Sequence, residues 1–298
     1  MKRTYLLLLI VTNFTFNYAY SQKSNNAKGK VLESLSFKSK ILGETVNYSI
    51  YLPSDYDNST LTYPAVYLLH GFSDNETGWT QFGEVHLAAD KAIANREIPP
   101  MIIIMPDAKI TWYINNYKGD KNYEDMFMQE LIPFMETQYR IKSKREFRGV
   151  SGLSMGGYGA LIYALHHPDK FIVCAAFSAG VFADKEITNI SQEQYNTWFA
   201  TIYDTTKVGK NRLNNYWYNN SILELMKKVP DQKDYKVRYY IDCGDDDFLY
   251  KGNSSLHMLM SDLEIEHQYR VRDGEHNWLY WRTGIIDGLK FIGKSFHR

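Results

Sequence analysis

The sequence predicts an α/β fold, a mostly parallel central sheet covered by helices on both faces. Three observations carry this. Short apolar runs of the buried-strand kind alternate with helical patterns after about residue 30. A glycine-rich hexapeptide sits between one such run and a helical pattern. No internal repeat, low-complexity tract or long linker breaks the alternation. With 298 residues, 44% of them apolar, the chain can bury one large core.

The N-terminus stands outside that rhythm. Met1-Lys2-Arg3 is a short positive region, and residues 5–11 are an apolar stretch too short to span a bilayer. Ala19-Tyr20-Ser21 places small residues at the −3 and −1 positions of a cleavage site. Residues 1–21 therefore read as a cleavable signal peptide, cut before Gln22, that delivers a secreted or periplasmic protein with no integral span. No Cys follows the apolar stretch, so a lipid anchor is not indicated. Residues 22–30 read as a polar, disordered lead-in to one domain covering 22–298.

Segments 31–39 and 45–52 read as an opening antiparallel pair. The runs 65–69, 101–105, 147–150, 171–177, 237–243 and 267–271 read as further strands, mostly buried on both faces. Helical patterns fall at about 84–95, 123–139, 155–167, 221–229, 253–262 and 283–296. Residues 182–220, rich in Asn, Tyr, Thr and Trp, fit the rhythm badly. They read as a small lid inserted on the rim of the sheet, where binding loops usually sit.

Composition excludes several classes. The 34 basic and 34 acidic residues cancel, and no basic block stands out, so nucleic acid is not an expected partner. Cys174 and Cys243 are the only cysteines, each in a predicted central strand. They read as two buried thiols, because neighbouring parallel strands place side chains poorly for a disulfide.

The chemistry centres on Gly152-Leu153-Ser154-Met155-Gly156-Gly157, a G-x-S-x-G pattern. A short strand precedes it and an Ala-, Leu- and Tyr-rich helix follows, the setting of a nucleophile elbow in an α/β-hydrolase fold. The turn strains Ser154, and Gly152 and Gly156 remove side chains that would otherwise collide. The helix N-terminus behind the Ser favours developing negative charge.

A serine hydroxyl needs a positioned base, and in this architecture the order is Ser, acid, His. Of the later histidines, His257 lies within a helix, His267 begins a strand and His297 is at the chain end. His276 alone sits in a loop just past a predicted strand. The acid should follow the preceding strand, where Asp245-Asp246-Asp247 offers three carboxylates that the sequence alone hardly ranks. Two backbone N–H groups should hold the oxyanion. Met155, after the nucleophile, and Phe72, in the His70-Gly71-Phe72 loop, are the candidates.

With these pieces placed, the sequence resembles the esterase D family, and in particular the feruloyl and acetyl-xylan esterases of carbohydrate esterase family one. The resemblance covers roughly residues 45–292. It rests on Val66-Tyr67-Leu68-Leu69-His70-Gly71 with Trp79, on Ile104-Met105-Pro106-Asp107, and on Tyr123-Glu124-Asp125 leading into Glu130-Leu131-Ile132-Pro133. The Ser154 hexapeptide, His167-Pro168-Asp169, Cys243-Gly244-x-x-Asp247 and Gly274-x-His276-x-Trp278 complete it. The resemblance selects Asp247 as the acid. It implies a serine esterase that needs no metal or organic cofactor and acts on feruloyl or acetyl groups of a polysaccharide or oligosaccharide. It also places Trp112, Tyr113 and Asn116 at the substrate site, and Trp278, which flanks the His276 loop, is a further candidate there. The family includes formylglutathione thioesterases and acyltransferases. Beside a general short-chain carboxylesterase, these are the enzymatic alternatives; an inactive carbohydrate-binding protein is the alternative of another class. The 182–220 insertion departs from the family pattern at the substrate pocket.

Overall fold

Alternation along the strands sets the two layers of the molecule. In the computed structural model, which describes residues 28–231 and 234–296, eight strands form one sheet. They are β1 (Lys30–Lys38), β2 (Thr45–Leu52), β3 (Ala65–Leu69), β4 (Ile102–Pro106), β5 (Arg148–Leu153), β6 (Val173–Phe177), β7 (Arg238–Gly244) and β8 (His267–Arg272). The expected signal peptide and His297 lie outside the described residues.

The spatial order is β1-β2-β4-β3-β5-β6-β7-β8. β2 pairs antiparallel with β1 and β4, while all neighbours from β4 to β8 run parallel. Parallel neighbours need crossovers, and helices supply them. In β3, Ala65, Tyr67 and Leu69 face one core, and Val66 and Leu68 face the other. Ile102 and Ile104 of β4 divide from Ile103 and Met105 in the same way, as a period of two requires. The first core is closed by the helices of 123–138, Met155–His166, Ile222–Met226 and Tyr250–Asp262. The second is closed by Val85–Ala94 and Trp278–Ser295.

The helix of 123–138 widens to a π turn at Phe127–Leu131 before continuing as Ile132–Gln138. Pro133 has no N–H and would clash with a carbonyl one turn back in an unbroken α-helix, and the wider turn accommodates it. Among the described residues, no helix is long and apolar enough to cross a membrane. Cys174 and Cys243 are buried and free, and burial pushes both thiols well above their ordinary value.

Segment 182–220 forms short helices at Asp184–Asn189, Gln192–Phe199 and Asn215–Asn220, with one 3₁₀ turn at Gly209–Arg212. Buried Arg212 staples it, donating to the carbonyls of Ile187 and Ile190 at 2.8 Å and lying over the Tyr195 ring. Its outer contacts go to the loop after β4. Trp112 Nε1 donates to the Trp198 carbonyl at 2.8 Å, Thr201 Oγ1 to Ile110 at 2.7 Å, and the Tyr216 hydroxyl to Asn115.

Candidate active site

β5 ends at Leu153 and the next helix starts at Met155, leaving Ser154 to turn the chain alone. Its backbone sits at φ 55°, ψ −117°, a conformation that costs a non-glycine residue about 1–3 kcal/mol. Three hydrogen bonds over-determine it. Ser154 N donates to Phe177 O at 2.9 Å, and Ser154 O accepts from Tyr158 N at 3.0 Å and Gly180 N at 3.1 Å. The flanking glycines are sterically required. A Cβ on Gly152 would stand 2.3 Å from the Gly156 carbonyl oxygen, and one on Gly156 would stand 2.4 Å from that of Leu69.

The loops after β8 and β7 bring two partners to this turn. His276 Nε2 lies 2.9 Å from Ser154 Oγ, and its Nδ1 lies 2.9 and 3.0 Å from the two Asp247 oxygens. The carboxylate-facing nitrogen carries the proton, which leaves Nε2 free to accept from the serine. Asp247 is fully buried. Burial works against its charge, but the His276 contact, a hydrogen bond from Ser178 and the Leu249 N–H at 2.8 Å outweigh this and hold its carboxyl below the ordinary range.

The three consecutive aspartates divide by place. Asp245 and Asp246 are exposed, and Asp245 Oδ1 accepts the N–H groups of Asp246 and Gly274 at 3.1 and 3.0 Å, shaping the turn instead of facing the imidazole.

Behind the carboxylate stands Ser178, itself buried at φ 44° and accepting the Trp281 indole N–H at 3.0 Å. The Trp281 ring meets the His276 ring edge-on at 4.9 Å between centroids. One layer deeper, the fully buried Asp242 on β7 accepts from the hydroxyls of Tyr240 and Tyr280 and pairs with Arg272 on β8 at 3.2–3.3 Å. This cluster locks together the two strand ends from which the acid and imidazole loops depart.

On the opposite side, His70 is buried at the end of β3, with Nδ1 2.8 Å from the Gly71 carbonyl oxygen and Nε2 accepting the Ala108 N–H at 2.8 Å. Asp107 lies farther from Nε2, at 3.4 Å, so the ring proton belongs on Nδ1 and is given to Gly71. Fixing that carbonyl fixes the trans Gly71–Phe72 peptide plane and turns the Phe72 N–H the other way. Met155 opens its helix, so its N–H is among the first-turn donors without an intrahelical acceptor.

Ser154 and His276 open into a pocket of about 440 Å³. Aromatic rings dominate its wall, with Phe72, Phe82 and Trp278 among them, and segment 182–220 brings Phe182 and Trp198 to Trp112.

Residues 39–292 match the model of a family described as putative esterases. The chain belongs to that esterase family. It is a carboxylic ester hydrolase on an α/β-hydrolase fold, as the sequence resemblance implied. An acetyl esterase of Caldicellulosiruptor saccharolyticus is 26% identical over 270 residues, covering 87% of this chain and 97% of the relative. An endo-1,4-beta-xylanase/feruloyl esterase of Xylanibacter ruminicola is 28% identical over 186 residues, 60% of this chain but 25% of that longer protein. Among solved structures, a ferulic acid esterase superposes with a TM-score of 0.75 at 29% identity, covering 91% of this chain and all of the other.

Of the four residues expected at the esterase's substrate site, Trp112 and Trp278 line the pocket. Tyr113 and Asn116 do not. Tyr113 is fully buried at φ 64°, and its hydroxyl donates to the His70 carbonyl at 3.0 Å, so it braces the loop from behind. Asn116 closes its own turn, bonding Asp120 and Lys121. Sequence reasoning missed Phe182, Trp198, Phe248, Asp74 and Ser178. Their proximity to Ser154 or Asp247 depends on chain reversals that no local pattern reports, although Phe248 was adjacent to a residue already chosen.

Proposed function

We propose that this esterase cleaves its substrates by two-step acyl transfer to water, with Ser154 as nucleophile, His276 as general base and acid, and Asp247 as the carboxylate that orients and steadies the imidazolium. The observation that carries this reading is the unbroken hydrogen-bonded chain from Ser154 Oγ through His276 to Asp247, at 2.9 to 3.0 Å. His276 takes the serine proton as Oγ attacks the ester carbonyl. The N–H groups of Phe72 and Met155 receive the developing oxyanion. The imidazolium then protonates the leaving alcohol, and the same ring activates water to release the acid.

The substrate class proposed is a feruloyl or acetyl ester on a plant or algal polysaccharide or an oligosaccharide derived from it. Support comes from the aromatic pocket, which suits a phenolic ring or a sugar face, and from relatives named as acetyl, feruloyl and ferulic acid esterases. Residues 182–220 act in this reading as a fixed lid, since Phe182 and Trp198 wall the pocket while the segment is bonded to the loop after β4. Residues 1–21 act as an export signal, which suits a polymeric substrate outside the cell. Initial rates on methyl ferulate, acetylated xylan and aryl acetates test the substrate class. Preference for the first or second supports it, and equal rates on all three refute polysaccharide specialisation.

A further inference from the structure

The loop after β3 carries one feature that triad chemistry does not use. Asp74 lines the same pocket as Ser154 and His276, and among the described residues it is the only carboxylate on that wall. Among the described residues, neither Lys nor Arg lines the pocket. Among the described residues, the Asp74 carboxylate accepts a single hydrogen bond, from Asn75 N–H to Oδ1 at 2.9 Å, and forms no ion pair; its backbone N–H donates to Gly71 O at 3.3 Å. Gly78 leaves room for it. A Cβ there would stand 2.2 Å from Asp74 Oδ2, so the carboxylate rests against the bare Cα at the start of the Gly78–Gln81 helix. Asp74 is thus a partly buried acceptor with spare lone pairs, lining the same pocket as the aromatic rings, Ser154 and His276.

Its surroundings make the charge more consequential. Burial pushes the Asp74 carboxyl above its ordinary value, and the Asp107 and Glu76 carboxylates add to that, against opposing contributions from the Asn75 N–H and His70. A second anion brought into this pocket meets no cation and an existing negative charge. A substrate hydroxyl instead gives the half-desolvated carboxylate the donor it lacks. Hydrogen bonds to charged acceptors are about twice as strong as neutral ones, and more so away from water.

We infer that Asp74 is a specificity-determining residue that recognises a hydroxyl donor on the substrate and excludes anionic esters, so the pocket selects neutral, hydroxyl-bearing substrates. This rests on the esterase reading of Ser154 and deepens it. It separates this pocket from one built for acidic peptide thioesters such as glutathione conjugates, whose carboxylates would need cationic partners. The hydroxyl can come from either side of the scissile bond, from the phenol of an aromatic acid or from the sugar that is the leaving alcohol.

The experiment compares kcat/KM within substrate pairs for the wild type and Asp74→Asn, which keeps side-chain size and removes the charge. Methyl ferulate against methyl 3,4-dimethoxycinnamate tests a phenolic donor. Acetylated xylobiose against 4-nitrophenyl acetate tests a sugar donor. Mono(4-nitrophenyl) succinate against 4-nitrophenyl butyrate tests anion exclusion. The wild type should favour the hydroxyl-bearing member of at least one of the first two pairs, and Asp74→Asn should shrink that preference by about 3- to 10-fold. The pair that moves identifies the source of the donor. The relative rate on the anionic ester should rise in the same variant. Unchanged ratios in both hydroxyl pairs, with 4-nitrophenyl acetate still turned over, overturn the inference and leave the esterase reading intact. Failure of the wild type to cleave any of these esters or to react with a fluorophosphonate overturns both.

Discussion

The imidazole of His70 is bonded to the peptide it precedes: Nδ1 gives its proton to Gly71 O at 2.8 Å while Nε2 is held by Ala108 N–H. The ring therefore sets the peptide plane whose other end is the Phe72 N–H. Replacing it with Ala frees that plane. The expected effect for His70→Ala is a fall in kcat of about 10- to 100-fold with KM changed much less, approaching the loss seen when an oxyanion donor is removed. Steady-state kinetics on an aryl acetate check this. A variant that loses affinity but keeps kcat contradicts the assignment.

Gly156 packs against backbone that cannot move aside. An added Cβ would meet Leu69 O at 2.4 Å and His70 O at 2.6 Å, at the point where the His70-Gly71-Phe72 loop leaves β3. Gly156→Ala should cost about 1–3 kcal/mol in denaturant unfolding. Displacing the Ser154 turn against His70 should also cut kcat/KM by about 100-fold. Full activity with unchanged stability shows that the turn relaxes freely.

A pH-dependent clamp joins segment 182–220 to the helix that follows Ser154. His166 Nδ1 lies 2.8 Å from Glu124 Oε1 and Nε2 lies 2.9 Å from the Asn219 carbonyl, so both ring nitrogens face acceptors. Burial opposes the cation, but the Glu124 carboxylate and that carbonyl outweigh it and raise the His166 value. The same imidazole, with His167, holds Glu124 below its ordinary value against the effect of burial. A raised histidine stabilises fully below its unfolded value and stops doing so as pH rises through its folded one. A lowered carboxylate stabilises above its unfolded value and fails as pH falls. The clamp is therefore strongest between the ordinary Glu and His values, 4.5 and 6.5. His166→Gln should lower Tm by about 2–4 °C in that window, with the gap narrowing on the alkaline side. A gap that stays constant from about pH 5 to about pH 9 contradicts this.

How far the sequence discloses this molecule depends on the range of the interaction. β2 and β3 have the expected bounds to the residue, because apolar runs flanked by Gly, Pro or polar turns leave little freedom at either end. The last helix starts at Trp278, about five residues before the expected position. Asn277 caps it, its side chain accepting Tyr280 N–H at 3.1 Å, so the cap directly follows His276 and stiffens the imidazole loop. The aromatic Trp278-Leu279-Tyr280-Trp281 stretch hid that start behind modest helix propensity. Ser154 and His276 were legible because the elbow and the loop after the last strand are local patterns in a fixed order. Local pattern alone did not choose among Asp245, Asp246 and Asp247; the family resemblance picked Asp247, and its burial beside His276 is the physical reason. Ser178 and Asp242 needed the third dimension altogether, since Ser178 lies 69 residues before Asp247 in sequence and reaches it only because β6 and β7 are neighbours, and Asp242 sits one layer beneath.

The central claim is that Ser154 Oγ is the attacking atom. Its most direct measurement pairs intact-mass detection of a fluorophosphonate adduct with kcat on an aryl acetate, in the wild type and Ser154→Ala. The wild type should gain one adduct that maps to Ser154. The variant should gain none and lose about 10³- to 10⁶-fold in kcat while remaining folded. Near-normal turnover in Ser154→Ala, or an adduct on another residue, contradicts the account.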